Sequence, residues 1–137
     1  MKVYEYCSDT YPITIHILIL DDKDIKDEKY VSYLNKNYET EDDFKFTALP
    51  NTTAARTYGD LSTKDSCYVV LTVYKKDYLT MPKTMHESLH MLDWIVCYLG
   101  MDSRFEMDRT NEHLAYLIEW IGQCHEDVLQ RQKSKKK

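Results

Sequence analysis

An α+β fold is what this sequence predicts: a small sheet in the first half, followed by two long helices. Two observations carry that expectation. Residues 11–20 (Tyr-Pro-Ile-Thr-Ile-His-Ile-Leu-Ile-Leu) and 67–74 (Cys-Tyr-Val-Val-Leu-Thr-Val-Tyr) are β-branched, apolar runs of strand length. Beyond residue 80 the apolar residues recur every three or four positions, the period of a helix with one buried face. A chain of 137 residues, 43% hydrophobic and 30% charged, is the size and composition of one globular domain. Residues 1–132 are expected to form it, with 133–137 (Lys-Ser-Lys-Lys-Lys) as a frayed basic tail.

The elements follow in order. Asp21 and Asp22 close the first strand, and Tyr30, Val31, Leu34 and Tyr38 suggest a short helix over 27–38. Phe44 to Thr47 reads as a short strand, and 50–63 as a loop with an extended piece at 55–58. Thr80 is a natural N-cap for the first long helix, Pro82 fits its first turn, and Gly100 ends it. Met85, Leu89, Leu92, Val96 and Leu99 form the stripe expected to face the sheet. The second long helix is expected from Thr110 or Asn111 to Gln130, burying Leu114, Leu117, Ile118, Ile121 and Val128.

Several function classes are disfavoured. The net charge of −5, with acid clustered at 21–28 and 39–43, argues against a nucleic-acid partner. The longest apolar run, 13–20, is too short to cross a bilayer. The first residues lack the apolar stretch of a secretory signal, so a cytoplasmic protein is expected. The four cysteines are scattered without a Cys-x-x-Cys pair and read as reduced thiols, with Cys97 as a small buried apolar residue.

One stretch carries chemistry. His86-Glu87-Ser88-Leu89-His90 sets two imidazoles four residues apart, about 40° around a helix and about 6 Å along it, so both can face one metal ion. Imidazole suits zinc, and Glu87 is a candidate base for a proton of metal-bound water. A zinc site that works on a substrate has three protein ligands, so a third is sought on the second helix. Asp93, one turn past His90, is either a hydrogen-bond partner for its other ring nitrogen or a solvated residue. His16 and His113 read as structural, His125 as exposed, and Tyr116 as a packing or interface residue.

With Asn111-Glu112-His113-Leu114-Ala115 on that second helix, the chain resembles the gluzincin metallopeptidases, and in size their minimal single-domain members, the minigluzincins. It is also similar to small zinc-peptidase-like proteins encoded by phages. The resemblance covers residues 66–121 and implies a zincin-like fold with His86, His90 and Glu112 as zinc ligands and Glu87 as the catalytic base. A tyrosine, Tyr116, stands where larger members often carry an aspartate. Plain hairpin pairing of the two helices would instead level His90 with Glu119, which stays as the alternative ligand. The implied activity is zinc-dependent hydrolysis of peptide bonds; the alternative is a non-enzymatic virion, tail-assembly or partner-binding protein with a structural metal. A peptide is expected to lie along the 67–74 strand, with Val69, Leu71 and Val73 under the motif helix and Tyr68, Val70 and Thr72 turned away.

Overall fold

The computed structural model describes residues 1–40, 43–100 and 112–134. Five strands form one mixed sheet: β1 (Lys2–Cys7), β2 (Thr14–Leu20), β3 (Glu39–Thr40), β4 (Ala55–Ser62) and β5 (Val69–Lys75), in the spatial order β1-β2-β5-β4-β3. β1 and β2 make an antiparallel hairpin, from Lys2 opposite Ile19 to Cys7 opposite Thr14. β2 and β5 run parallel, Thr14 beside Val69 and Leu20 beside Lys75. Parallel neighbours need a long crossover, which here contains α1 (Asp22–Asp27) and α2 (Lys29–Asn37). α3 (Met81–Leu99) and α4 (Glu112–Ser134) follow β5, after a 3-10 turn at Lys76–Tyr78.

Helices cover both faces of the sheet. Ile13, Ile15, Ile17 and Ile19 join Tyr68, Val70 and Tyr74 under Met91, Ile95, Leu114, Leu117, Ile121 and Val128. On the other face Leu18, Leu20, Val69, Leu71 and Val73 pack on Tyr30, Leu34, Tyr38, Phe46 and Leu49. β2 and β5 are therefore buried at every position, which is why their sequences read as apolar runs and not as strict alternation.

The caps of α3 are those the sequence announces. Thr80 Oγ1 accepts from the Lys83 amide, Pro82 lies in the first turn, and Gly100 takes the left-handed conformation at φ 67°. α1 opens with a reciprocal capping box between Asp21 and Asp24.

Five expectations are corrected. The 67–74 strand was expected to offer a free edge; β5 is flanked by β2 and β4, so its backbone groups are spent on the sheet and no peptide can add there. Its faces are exchanged, because Val70 and Tyr74 lie under α3 while Val69, Leu71 and Val73 face α2. Both faces are covered, so alternation alone does not say which one takes α3. Phe44 to Thr47 forms no strand: Asn35 accepts from the Phe46 amide and donates to its carbonyl, and the Tyr30 hydroxyl accepts from the Leu49 amide. Those side chains of α2 satisfy the backbone that a strand partner would have satisfied. Lys133 and Ser134, expected in a frayed tail, are the last residues of α4; 135–137 lie outside the described residues.

The fifth correction concerns the motif helix. α3 buries Thr84, Glu87, Ser88, Met91, Ile95 and Val96, whereas Met85 and Leu89 are 67% and 66% exposed. For Met85 and Leu89 the buried row is displaced by one residue, a rotation of about 100°. The cause is the surface under its first half, which presents Thr57, Thr72, the Tyr74 hydroxyl and His125. Polar side chains find partners there, and the apolar residues below them, Met91 and Ile95, still reach the core.

Candidate functional site

His86 and His90 occupy successive turns on the outer side of α3, both exposed. Their Nε2 atoms are 3.3 Å apart and the rings meet edge-to-face at 5.0 Å between centroids. Two nitrogens on a tetrahedral zinc, each about 2.05 Å from the metal, would be separated by about 3.3 Å. The pair therefore fits as two of the ligands of one zinc ion. As neutral imidazoles they also suit a single N–H···N hydrogen bond. Asp93 and Cys97, further along, are exposed as well.

Glu87 points the other way. It is 4% exposed, and its Oε2 accepts a 2.6 Å hydrogen bond from Thr57 Oγ1 on β4. Thr57 Oγ1 is in turn 2.8 Å from Thr72 Oγ1 on β5. The carboxylate is thus tied into the sheet, turned from the side on which the imidazole nitrogens lie. Glu112, the first residue of α4, is exposed, as is Glu119. Among the described residues no three or more His, Cys, Asp or Glu side chains converge to hold a metal ion.

A second polar cluster lies beneath the motif. His125, expected at the surface, is 3% exposed. Its Nε2 lies 2.7 Å from the Tyr74 hydroxyl and its Nδ1 lies 3.0 Å from Ser88 Oγ. Ser88 Oγ donates its proton to the Thr84 carbonyl at 2.6 Å, so Nδ1–H donates to Ser88 and Nε2 accepts from Tyr74. Both ring nitrogens are used by a neutral imidazole. Burial pulls the His125 pKa from 6.5 down to about 4, opposed by a hydrogen bond with the Ile121 backbone. Burial pushes the Tyr74 phenol well above its ordinary value, and the nearby charge of Glu87 adds to it.

The remaining candidates sort by burial. His16 is buried on β2 with Nδ1 2.6 Å from the Tyr38 hydroxyl, a structural role as expected from the sequence. Cys97, expected to be buried, is exposed, and Cys124 is the buried thiol, its pKa pushed up to about 12 by burial. Ile118, expected on the buried side of α4, is 38% exposed, and Tyr116 is 64% exposed. The signal that marks His125 in retrospect is position: it lies in step with Leu114, Leu117, Ile121 and Val128 on the inner side of α4.

The molecule is an α+β protein bearing an outward pair of histidines over an inward, fully partnered acid and histidine. No helix among the described residues is long and apolar enough to cross a membrane. Comparison of the chain with protein-family models, curated proteins and solved structures gives no match.

Proposed function

We propose that this chain is a zincin-like, partner-binding protein that holds a zinc ion through His86 and His90 without hydrolysing peptides. The observation that carries the reading is the opposed orientation of the motif. The imidazole nitrogens are outward and spaced for zinc, while Glu87 is buried on Thr57. When bound, zinc would clip two turns of α3 and leave coordination positions for donors outside the pair. Met81, Met85 and Leu89, all more than half exposed on the same helix, supply apolar surface of the kind that interaction sites use. A small phage-type assembly or adaptor protein fits this description.

Metal analysis of protein purified without added zinc, beside His86→Ala/His90→Ala, tests the reading. About one zinc per native chain is expected, and the double variant should lose it while remaining folded. Equal zinc in both proteins would overturn it.

A peptidase of gluzincin type is the second reading, favoured by the same 3.3 Å pair with a glutamate between its histidines. It requires Glu87 to leave Thr57 and turn outward, and it requires a third ligand such as Glu112. Hydrolysis of an unstructured protein substrate that is lost in Glu87→Gln, with zinc retained, would establish this reading over the first.

A further inference from the structure

β1 and β3 are the edge strands of the sheet, and β4, between β5 and the two-residue β3, has no partner over residues 55–58 on the side away from β5 among the described residues. Lys75 donates its amide to the Ala54 carbonyl, so by antiparallel alternation Arg56 and Tyr58 also turn their backbone groups toward β5. The N–H and C=O of Ala55 and Thr57 then point away from β5. β3 pairs with β4 only at Leu61 and Ser62, beyond a bulge between Tyr58 and Leu61. At that bulge Asp60 takes a left-handed conformation, φ 53°. Gly59 is pressed under Trp94, whose ring would lie 2.0 Å from any Cβ placed there. The indole is therefore seated directly on the backbone of this strand.

A pocket of about 250 Å³ opens at this point, walled by Phe44, Tyr58 and Trp94 with Asp60 at its rim. The Phe44 and Tyr58 rings are tilted against each other with centroids 6.0 Å apart, and Phe44 and Trp94 are 50% and 38% exposed. The Arg56 side chain is taken up by the Tyr58 hydroxyl, and among the described residues no side-chain donor or cation pairs with the Asp60 carboxylate. Aromatic side chains lining a pocket beside a carboxylate that no described residue pairs are the chemistry that selects an organic cation over an apolar group.

We infer that this pocket binds the ammonium group of a lysine side chain carried on an extended peptide that adds to the unpaired side of β4. The peptide backbone pairs with Ala55 and Thr57, and where the bulge ends the pairing its lysine drops between Trp94 and Phe44 toward Asp60. Neither His86 nor His90 lines the pocket, so this site stands or falls separately from the zinc reading.

Calorimetric titration of the full chain with a capped five-residue peptide, lysine at its centre and valines beside it, tests the inference. The comparison peptide replaces lysine by norleucine. Saturable binding is expected, at least about ten-fold tighter for lysine than for norleucine. Asp60→Asn should weaken the lysine peptide about ten-fold and leave the norleucine peptide unchanged. Asparagine tolerates the left-handed backbone, so that variant keeps the bulge. Equal affinity for both peptides, no binding of either, or an Asp60→Asn variant that binds like the native chain would each overturn it.

Discussion

Within one turn of α3, residues 86–90, the chain presents two opposite environments. On the outside, His86, Leu89 and His90 meet solvent, and the imidazoles face only each other among the described residues. On the inside, Glu87 and Ser88 are buried, and each has its hydrogen bond to a neighbouring element. The difference lies in what satisfies the polar atoms. Inside, Glu87 accepts from Thr57, and Ser88 donates to the Thr84 carbonyl and accepts from His125, so these groups hold the helix to the sheet and to α4 and are poor reagents. Outside, the nitrogens are available, so whatever chemistry the motif performs must be performed there.

Substitutions that probe the inner side deeply should have the largest effects. Ile95→Ala, at a fully buried position, should cost about 2–5 kcal/mol in denaturant unfolding, while Leu89→Ala should stay within about 0.5 kcal/mol. Comparable losses at both positions would break the distinction between the two sides.

Acid should act through His125. Its folded pKa of about 4 lies below the ordinary 6.5, so between those values the unfolded chain binds a proton that the folded chain refuses. The stabilisation is complete above pH 6.5 and declines as the pH falls, by about 3 kcal/mol at pH 4. His16, also lowered by burial, adds in the same direction. Unfolding free energies across this range should fall less steeply for His125→Gln than for the native chain; identical slopes would show that His125 is protonated without unfolding.

Glu87→Ala strips Thr57 of its acceptor and should cost about 1–3 kcal/mol without changing zinc content. Loss of zinc in that variant would mean that Glu87 serves the outer side after all. Smaller still are the effects expected at the candidate third ligands. With zinc held by the histidine pair alone, Glu112→Ala and Glu119→Ala should each leave zinc affinity within about two-fold by titration. A ten-fold loss in Glu112→Ala would restore the ligand set that the gluzincin resemblance implies; the same loss in Glu119→Ala would point to simple hairpin pairing.

Much of the fold could be read from local sequence. β2 and β5 were visible as apolar runs, and α3 was bounded by Thr80, Pro82 and Gly100, because strand propensity and helix caps act over a few residues. β1 and β3 were not anticipated. Lys-Val-Tyr-Glu-Tyr-Cys carries strand formers at Val3, Tyr4 and Tyr6, but its pairing with β2 is what makes it a strand, and β3 is two residues long.

The sequence by itself determined that a helix carries His86, Glu87 and His90, and that the two histidines share a side of it. Helical periodicity requires both. Which side faces the sheet was decided by tertiary structure alone. The row expected to be buried runs through Met85 and Leu89, and the row that is buried runs through Ser88, Met91 and Ile95. Hydrophobicity favoured the first. The second prevailed because Thr57, Thr72, Tyr74 and His125, contributed by three other elements, meet in space to form a polar floor that Glu87 and Ser88 can satisfy. No local pattern records that meeting, since its hydrogen-bonded pairs join residues 15 to 51 positions apart.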